Sequence, residues 1–123
     1  MLRRKIMFYV DGFLVAVPKE NKTAYIKVAE NAAVVFKENG ALSVVETWGD
    51  DVPEGKITSF PLAVKLEPHE TVVFSWITWP NRAARDEGMK KSMEDPRMKM
   101  DPSSLPFDGK RMIFGGFEAI VSA

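Results

Sequence analysis

Three acids stand in stretches that are otherwise apolar: Asp11 in YVDGFLVAVP, Glu46 in ALSVVETW and Glu118 in RMIFGGFEAIV. A carboxylate withdrawn from water has a raised pKa and can shuttle a proton near neutral pH. The plainer role for each is a strand end facing water, or pairing with Arg3, Arg111 or a backbone group. Asp11 carries the sharper expectation, because Val10-Asp11-Gly12-Phe13 falls in mid-strand, where a buried charge is costly unless it is used or paired. Trp48, Trp76 and Trp79 each bring a broad apolar face and one N–H, which suits a flat organic ligand as well as a core or a dimer interface. The candidate site is therefore Asp11 or Glu46 as the base, Trp48 and Trp76 as the pocket wall, and Arg111 as an anchor for an anion.

Other patterns carry less. Asp50, Asp51 and Glu54 in GDDVPEG lack the alternating ligand ladder of a calcium loop, and a turn explains them. His69, the sole histidine, lies between Pro68 and Glu70 in a loop, and a zinc site there would have to draw its other ligands from carboxylates. Met89, Met93, Met98 and Met100 form an adaptable apolar cluster, read as packing of a weak helix, with a lid over a pocket as the alternative. Gly115-Gly116 fits either a bulge or a close approach by a ligand or a partner backbone. Phosphate-cradling loops, the GxSxG elbow and the dinucleotide fingerprint are missing, which disfavours nucleotide-dependent catalysis; no cofactor and no metal are expected.

To position these residues the chain has 123 of them, 46% hydrophobic and 28% charged, enough for one domain with a real core over 1–123. Lys plus Arg equals Asp plus Glu at 17 each, so nothing draws the protein to nucleic acid or to anionic lipid. Cysteine is absent, which removes disulfides, thiolate metal sites and a Cys nucleophile. Asp11 and Gly12 interrupt the apolar run of MLRRKIMFYVDGF before a signal-peptide core forms, and no stretch is long enough to span a membrane. A cytoplasmic protein is the expectation.

The central stretch is TVVFSWITW, residues 71–79, in which Val72, Phe74 and Trp76 share one face and Val73, Ile77 and Trp79 the other. Ile6 to Val17 reads as a first strand, also apolar on both sides, closed by Pro18. Tyr25, Val28, Ala29, Ala32, Val35 and Phe36 recur at helical spacing, with Asn21 or Thr23 as cap and Asn39-Gly40 as the stop. Ala41 to Trp48 is a second strand, and Lys56 to Leu66 a short strand or extended edge, with Pro61 against a central position. Asn81 caps a polar helix from Arg82 to Glu94 whose packing candidates are Ala84, Gly88, Met89 and Met93, and Arg111 to Val121 is the last strand. Two strand-helix-strand units in this order make an α+β, ferredoxin-like βαββαβ antiparallel sheet with both helices on one face. Its other face is then bare and apolar, which predicts a homodimer closed through the sheet faces, as in a dimeric α/β barrel.

The segments YVDGFLVAVP, GALSVVETWGDDVPEGK, VVFSWITWP, DPRM and PFDGKRMIFGGFE, taken together, resemble the YbaA-like family of uncharacterised small bacterial proteins. The similarity runs from about Phe8 to Glu118 and leaves the basic leader Met1 to Lys5 outside. The resemblance implies a dimeric α/β-barrel fold and no activity, since none is assigned to that family. The wider superfamily includes cofactor-free monooxygenases, haem-degrading enzymes, isomerases and ligand-binding regulatory domains. Its haem-degrading members use an Asn on the first strand, a Trp on the third and a His on the second helix. Trp76 or Trp79 matches the Trp, but the first strand offers Asp11 and Arg82 to Glu94 has no His. A small-molecule enzyme of cofactor-independent oxygenase or isomerase type is the leading expectation, and a non-catalytic ligand-binding or interaction protein the alternative.

Overall fold

The computed structural model describes residues 8–123. Four strands, β1 (Tyr9–Pro18), β2 (Ser43–Trp48), β3 (Glu70–Trp79) and β4 (Ile113–Glu118), form one antiparallel sheet in the order β2-β3-β1-β4. The helices are α1 (Lys22–Glu38), the single turn α2 (Phe60–Ala63) and α3 (Arg82–Glu94). This is the ferredoxin-like order, with the two strands that are apolar on both sides at the centre. Asp11 lies opposite Ile77 and Gly116, and Glu46 opposite Ser75, so both acids point to the face that carries α1 and α3. The start of the first predicted strand, Ile6 and Met7, the basic leader and Arg3 lie outside the described residues.

Helix α1 buries Tyr25, Val35 and Phe36 against the sheet and stops at Asn39-Gly40, where Gly40 takes φ 106°. The cap expected of Asn21 does not form: its side-chain amide donates to the Pro106 carbonyl at 3.1 Å, while Thr23 lies within the helix. Asn81 caps α3 as expected, accepting from the Ala84 N–H at 2.8 Å. The edge strand expected between Lys56 and Leu66 is absent. Ser59 instead accepts from Leu62 N–H and opens α2, and Pro61 falls in its first turn, where a missing N–H does no harm.

Under the helices, Val73, Ile77 and Trp79 of β3 and Val15 and Val17 of β1 are buried. The opposite face differs from the bare one expected, because residues 49–66 fold back over one end of it. Val64 there joins Ala16 and Val72 in a small buried cluster with Val52 and Leu66 packed against it, and Phe60 stacks 5.9 Å from Phe74. The rest of that face stays uncovered, with Phe74 45% and Phe117 62% exposed. Among the described residues no helix is long and apolar enough to cross a membrane.

Candidate functional site

Between α1, α3 and the sheet lies a cavity of about 630 Å³, of the size that holds a drug-sized molecule. Its floor is Asp11, Phe13 and Val15 of β1, Val44 and Glu46 of β2, Ser75 and Ile77 of β3, and Phe114 of β4. Its roof is Tyr25, Ala29, Ala32 and Phe36 of α1 and Arg85 and Met89 of α3, and the segment after α3 adds Met98, Met100, Leu105, Phe107 and Met112. That segment is tied to α1 by Asn31 donating to the Arg97 carbonyl at 3.0 Å and by Arg97 donating to Glu38 at 2.7 Å. The methionine cluster thus forms one wall of the cavity while still packing on the core, since Met89 and Met98 touch the cluster around Trp79.

Glu46 is the polar centre of this apolar space. The Tyr25 hydroxyl donates to its Oε1 at 2.6 Å from the first turn of α1, and Ser75 of β3 lies opposite it in the strand pair, close enough to influence its charge. The residue keeps accessible surface because the cavity is open, yet the protein around it pushes the carboxyl above the usual range; Tyr25 and Ser75 pull only partly the other way. Tyr25 is raised as well, first by burial and then by the bond to Glu46 and its charge. Among the described residues no Lys or Arg forms an ion pair with Glu46. A carboxylate held by a neutral donor, raised in pKa and open to a cavity has the attributes of a general base.

Asp11 is used differently. Trp79 Nε1–H donates to its Oδ2 at 2.9 Å, and Arg85 Nε–H donates to both carboxylate oxygens at 3.1 and 3.2 Å. Arg85 also reaches Asp86 at 2.7 Å and lies 4.8 Å over the Tyr9 ring. Burial works against the charge of this guanidinium, but Asp11 and Asp86 outweigh it and raise its pKa. Gly116 makes room for the arrangement, since a Cβ there would run into Arg85 and the Tyr9 hydroxyl. Asp11 borders the cavity as half of a buried ion pair.

Of the remaining expected site residues, Trp76 reaches the cavity and Trp48 and Arg111 do not. Trp48 packs on the cluster of Val15, Val17, Tyr25 and Val73 outside it, with Lys22 Nζ 5.3 Å from its ring centre. Trp76 borders the cavity, but its ring lies 5.2 Å from that of Phe74, which the strand alternation places on the opposite face. Arg111, expected as an anion anchor, is engaged elsewhere: it donates to both oxygens of buried Glu70 at 2.8 and 2.7 Å, to Asp108 at 3.0 Å and to the Lys65 carbonyl at 3.0 Å. Glu118 is exposed at the end of β4. His69 has Glu67 and Glu70 close enough to share an ion, but both Glu70 oxygens are taken by Arg111, so a cation there would compete with a guanidinium. Two members of the site escaped the sequence: Tyr25 reads there as one of a row of helix-core positions, and Arg85 as one of many charges on a polar helix.

A four-stranded antiparallel sheet with two helices across one face and an apolar cavity beneath them defines a ferredoxin-like α+β protein. Within that class, the model of the family described as "Protein of unknown function (DUF1428)" matches residues 8–109, and the chain belongs to that family. It is 58% identical over 115 residues to "Uncharacterized protein YbaA" of Escherichia coli strain K12, covering 94% of this chain and 98% of the relative, and equally so to the protein of that name from Shigella flexneri. Among solved structures it is similar to a dimeric ferredoxin-like protein from an uncultured marine organism, with TM-score 0.56 and 15% identity over 97% of this chain and 98% of the other. That likeness shows the fold alone; none of these descriptions names a reaction.

Proposed function

We propose that the cavity receives an apolar small molecule and that Glu46 is its acid–base group, in an enzyme that moves a proton without a cofactor, as an isomerase does. The observation that carries this reading is the Glu46 carboxylate, which faces a cavity of about 630 Å³, accepts from the Tyr25 hydroxyl, has no ion-pair partner among the described residues and is pushed above its usual range by the protein around it. In the step, a C–H bond next to an activating carbonyl breaks, the proton goes to the Glu46 oxygen that Tyr25 does not hold, and the electron pair stays on the substrate as an enolate. Return of the proton to another atom completes an isomerisation; the oxygenase variant requires dioxygen as co-reactant. Asp11 with Arg85 forms a second polar point on the cavity floor, Trp48 backs Tyr25, and Arg111 braces the loop beyond.

Hydrogen–deuterium exchange at carbon tests this directly. Across a panel of bicyclic ketones, with and without an amino group, exchange in heavy water should run faster with wild-type protein than in buffer and return to the buffer rate with Glu46→Gln. Exchange at the buffer rate throughout, or unaltered by Glu46→Gln, would remove the base. A non-catalytic ligand-binding role is the second reading, favoured by the full pairing of Asp11 with Arg85 and Trp79; it predicts saturable binding of the same ketones with no exchange.

The uncovered sheet face supports a homodimer, and the solved neighbour is described as dimeric. Phe74, Ile113 and Phe117 are exposed there at 45%, 43% and 62%, and face-to-face pairing of two sheets would bury on the order of 1,200 to 2,000 Å². Light scattering should give twice the chain mass at micromolar concentration, and the pair Phe74→Glu with Phe117→Glu should halve it; a wild-type monomer removes the assembly.

A further inference from the structure

We propose that the molecule taken by the cavity is a cation, an apolar amine in its ammonium form, with Glu46 as its counter-ion; this rests on the cavity reading above in its ligand-binding form, in which Glu46 pairs with the ligand and is not its base, and adds the charge of the ligand. Among the described residues, four ionisable side chains other than tyrosine border the cavity: Asp11, Glu46, Arg85 and Arg97. Both cations are already taken. Arg97 donates to Glu38 and Asp95 at 2.7 Å each, and Arg85 bonds to Asp11 at 3.1 Å and to Asp86 at 2.7 Å. The acid left over is Glu46, which accepts from the Tyr25 hydroxyl and has no ion-pair partner among the described residues. Lys22, the cation on the neighbouring turn, lies over the Trp48 ring instead.

This imbalance selects among ligands. An anion would enter beside two carboxylates and find each guanidinium already shared between two acids. A neutral molecule with one hydroxyl would donate to Glu46 but leave the charge uncompensated. An ammonium would neutralise it, donate up to three hydrogen bonds, and lay its hydrocarbon body along the wall of Phe13, Phe36 and Met98. Phe107, whose ring lies 5.7 Å from that of Tyr25, adds an aromatic surface near the carboxylate that also favours a cation.

Three naphthalene probes that share one ring system separate the possibilities: 2-naphthylmethylamine, 2-naphthylmethanol and 2-naphthoate, titrated by calorimetry at neutral pH. The amine should bind at least about tenfold more tightly than the alcohol, the gain typical of a hydrogen bond between charged groups, and the naphthoate most weakly. Glu46→Gln should bring amine and alcohol to equal affinity. Equal affinities in the wild type, or a preference that survives Glu46→Gln, overturn the charge assignment and leave the cavity standing. Failure of all three probes to bind removes the cavity reading itself. Should Glu46→Gln not fold, the wild-type ranking, together with the carboxyl carbon signal of Glu46 moving with the amine and not with the alcohol, carries the same decision.

Discussion

Replacing Arg85 by Met removes the charged partner of a buried acid while keeping most of the side-chain volume. Asp11, 8% exposed at its side chain, would then hold its charge against a single neutral donor, the Trp79 indole. Breaking a buried pair from that side costs about 3 to 5 kcal/mol, because a carboxylate is left in a place it cannot be hydrated. Asp11→Asn is milder. Its amide oxygen still accepts from Trp79, and Arg85, 21% exposed and bonded to Asp86, can turn toward water, which puts the loss at about 1 to 2 kcal/mol. The double variant Asp11→Asn with Arg85→Met leaves no stranded charge, so it should be more stable than Arg85→Met alone, with a coupling of about 2 to 3 kcal/mol. Urea unfolding followed by circular dichroism, at one fixed protein concentration because association shifts apparent stability, gives all four numbers. An Arg85→Met loss no larger than that of Asp11→Asn, or losses that add to within about 0.5 kcal/mol, would refute the buried pair.

Glu46→Gln should stabilise the protein near pH 7, because a carboxyl whose native pKa is raised disfavours the native state once it ionises; the gain should vanish as pH falls below the ordinary value of 4.5, and an equal effect at pH 7 and pH 4 in urea midpoints would contradict it. Arg111→Ala strands buried Glu70 and should cost about 3 kcal/mol while leaving probe affinity for the cavity unchanged. The bond to Arg111 holds Glu70 below its usual range, so the stabilisation it supplies is present at neutral pH and fades as Glu70 is protonated in acid; urea midpoints of wild type and Arg111→Ala should therefore converge at low pH. Gly88→Ala puts a methyl group into the Trp79 ring and the Asn39 carbonyl, and should destabilise thermal unfolding by more than about 1 kcal/mol although alanine favours a helix.

The two-sided strands at 9–18 and 70–79 were legible because alternation puts apolar residues on both faces, and that alone places them at the centre of the sheet. Helix α1 was legible from its period. Residues 56–66 were misread, since a proline excluded from a central strand fits the first turn of a helix equally well and only the Ser59 cap distinguishes the two. Missing that turn also hid the partial cover it gives to the second face of the sheet. The site was half legible. Both acids stand out in apolar strands, but which is paired depends on a guanidinium contributed from α3, 74 residues further along the chain, and no local pattern reports a contact at that range.

The different fates of the two acids follow from their strands. β1 is central, flanked by β3 and β4 and roofed by α3, so the carboxylate of Asp11 is buried although it borders the cavity, and Arg85 and the Trp79 indole supply its hydrogen bonds. β2 is an edge strand, and an acid there can face the mouth of a cavity, keep partial hydration and remain charged without a cation beside it. Tyr25, projecting from the first turn of α1, fixes one oxygen of that acid and leaves the other to whatever enters. The central acid is therefore committed to partners inside the fold, whereas the edge acid borders the cavity with no ion-pair partner among the described residues. Sequence alone ranks Asp11 first because it stands in mid-strand; in the structure that acid is paired with Arg85, while Glu46 has no ion-pair partner among the described residues.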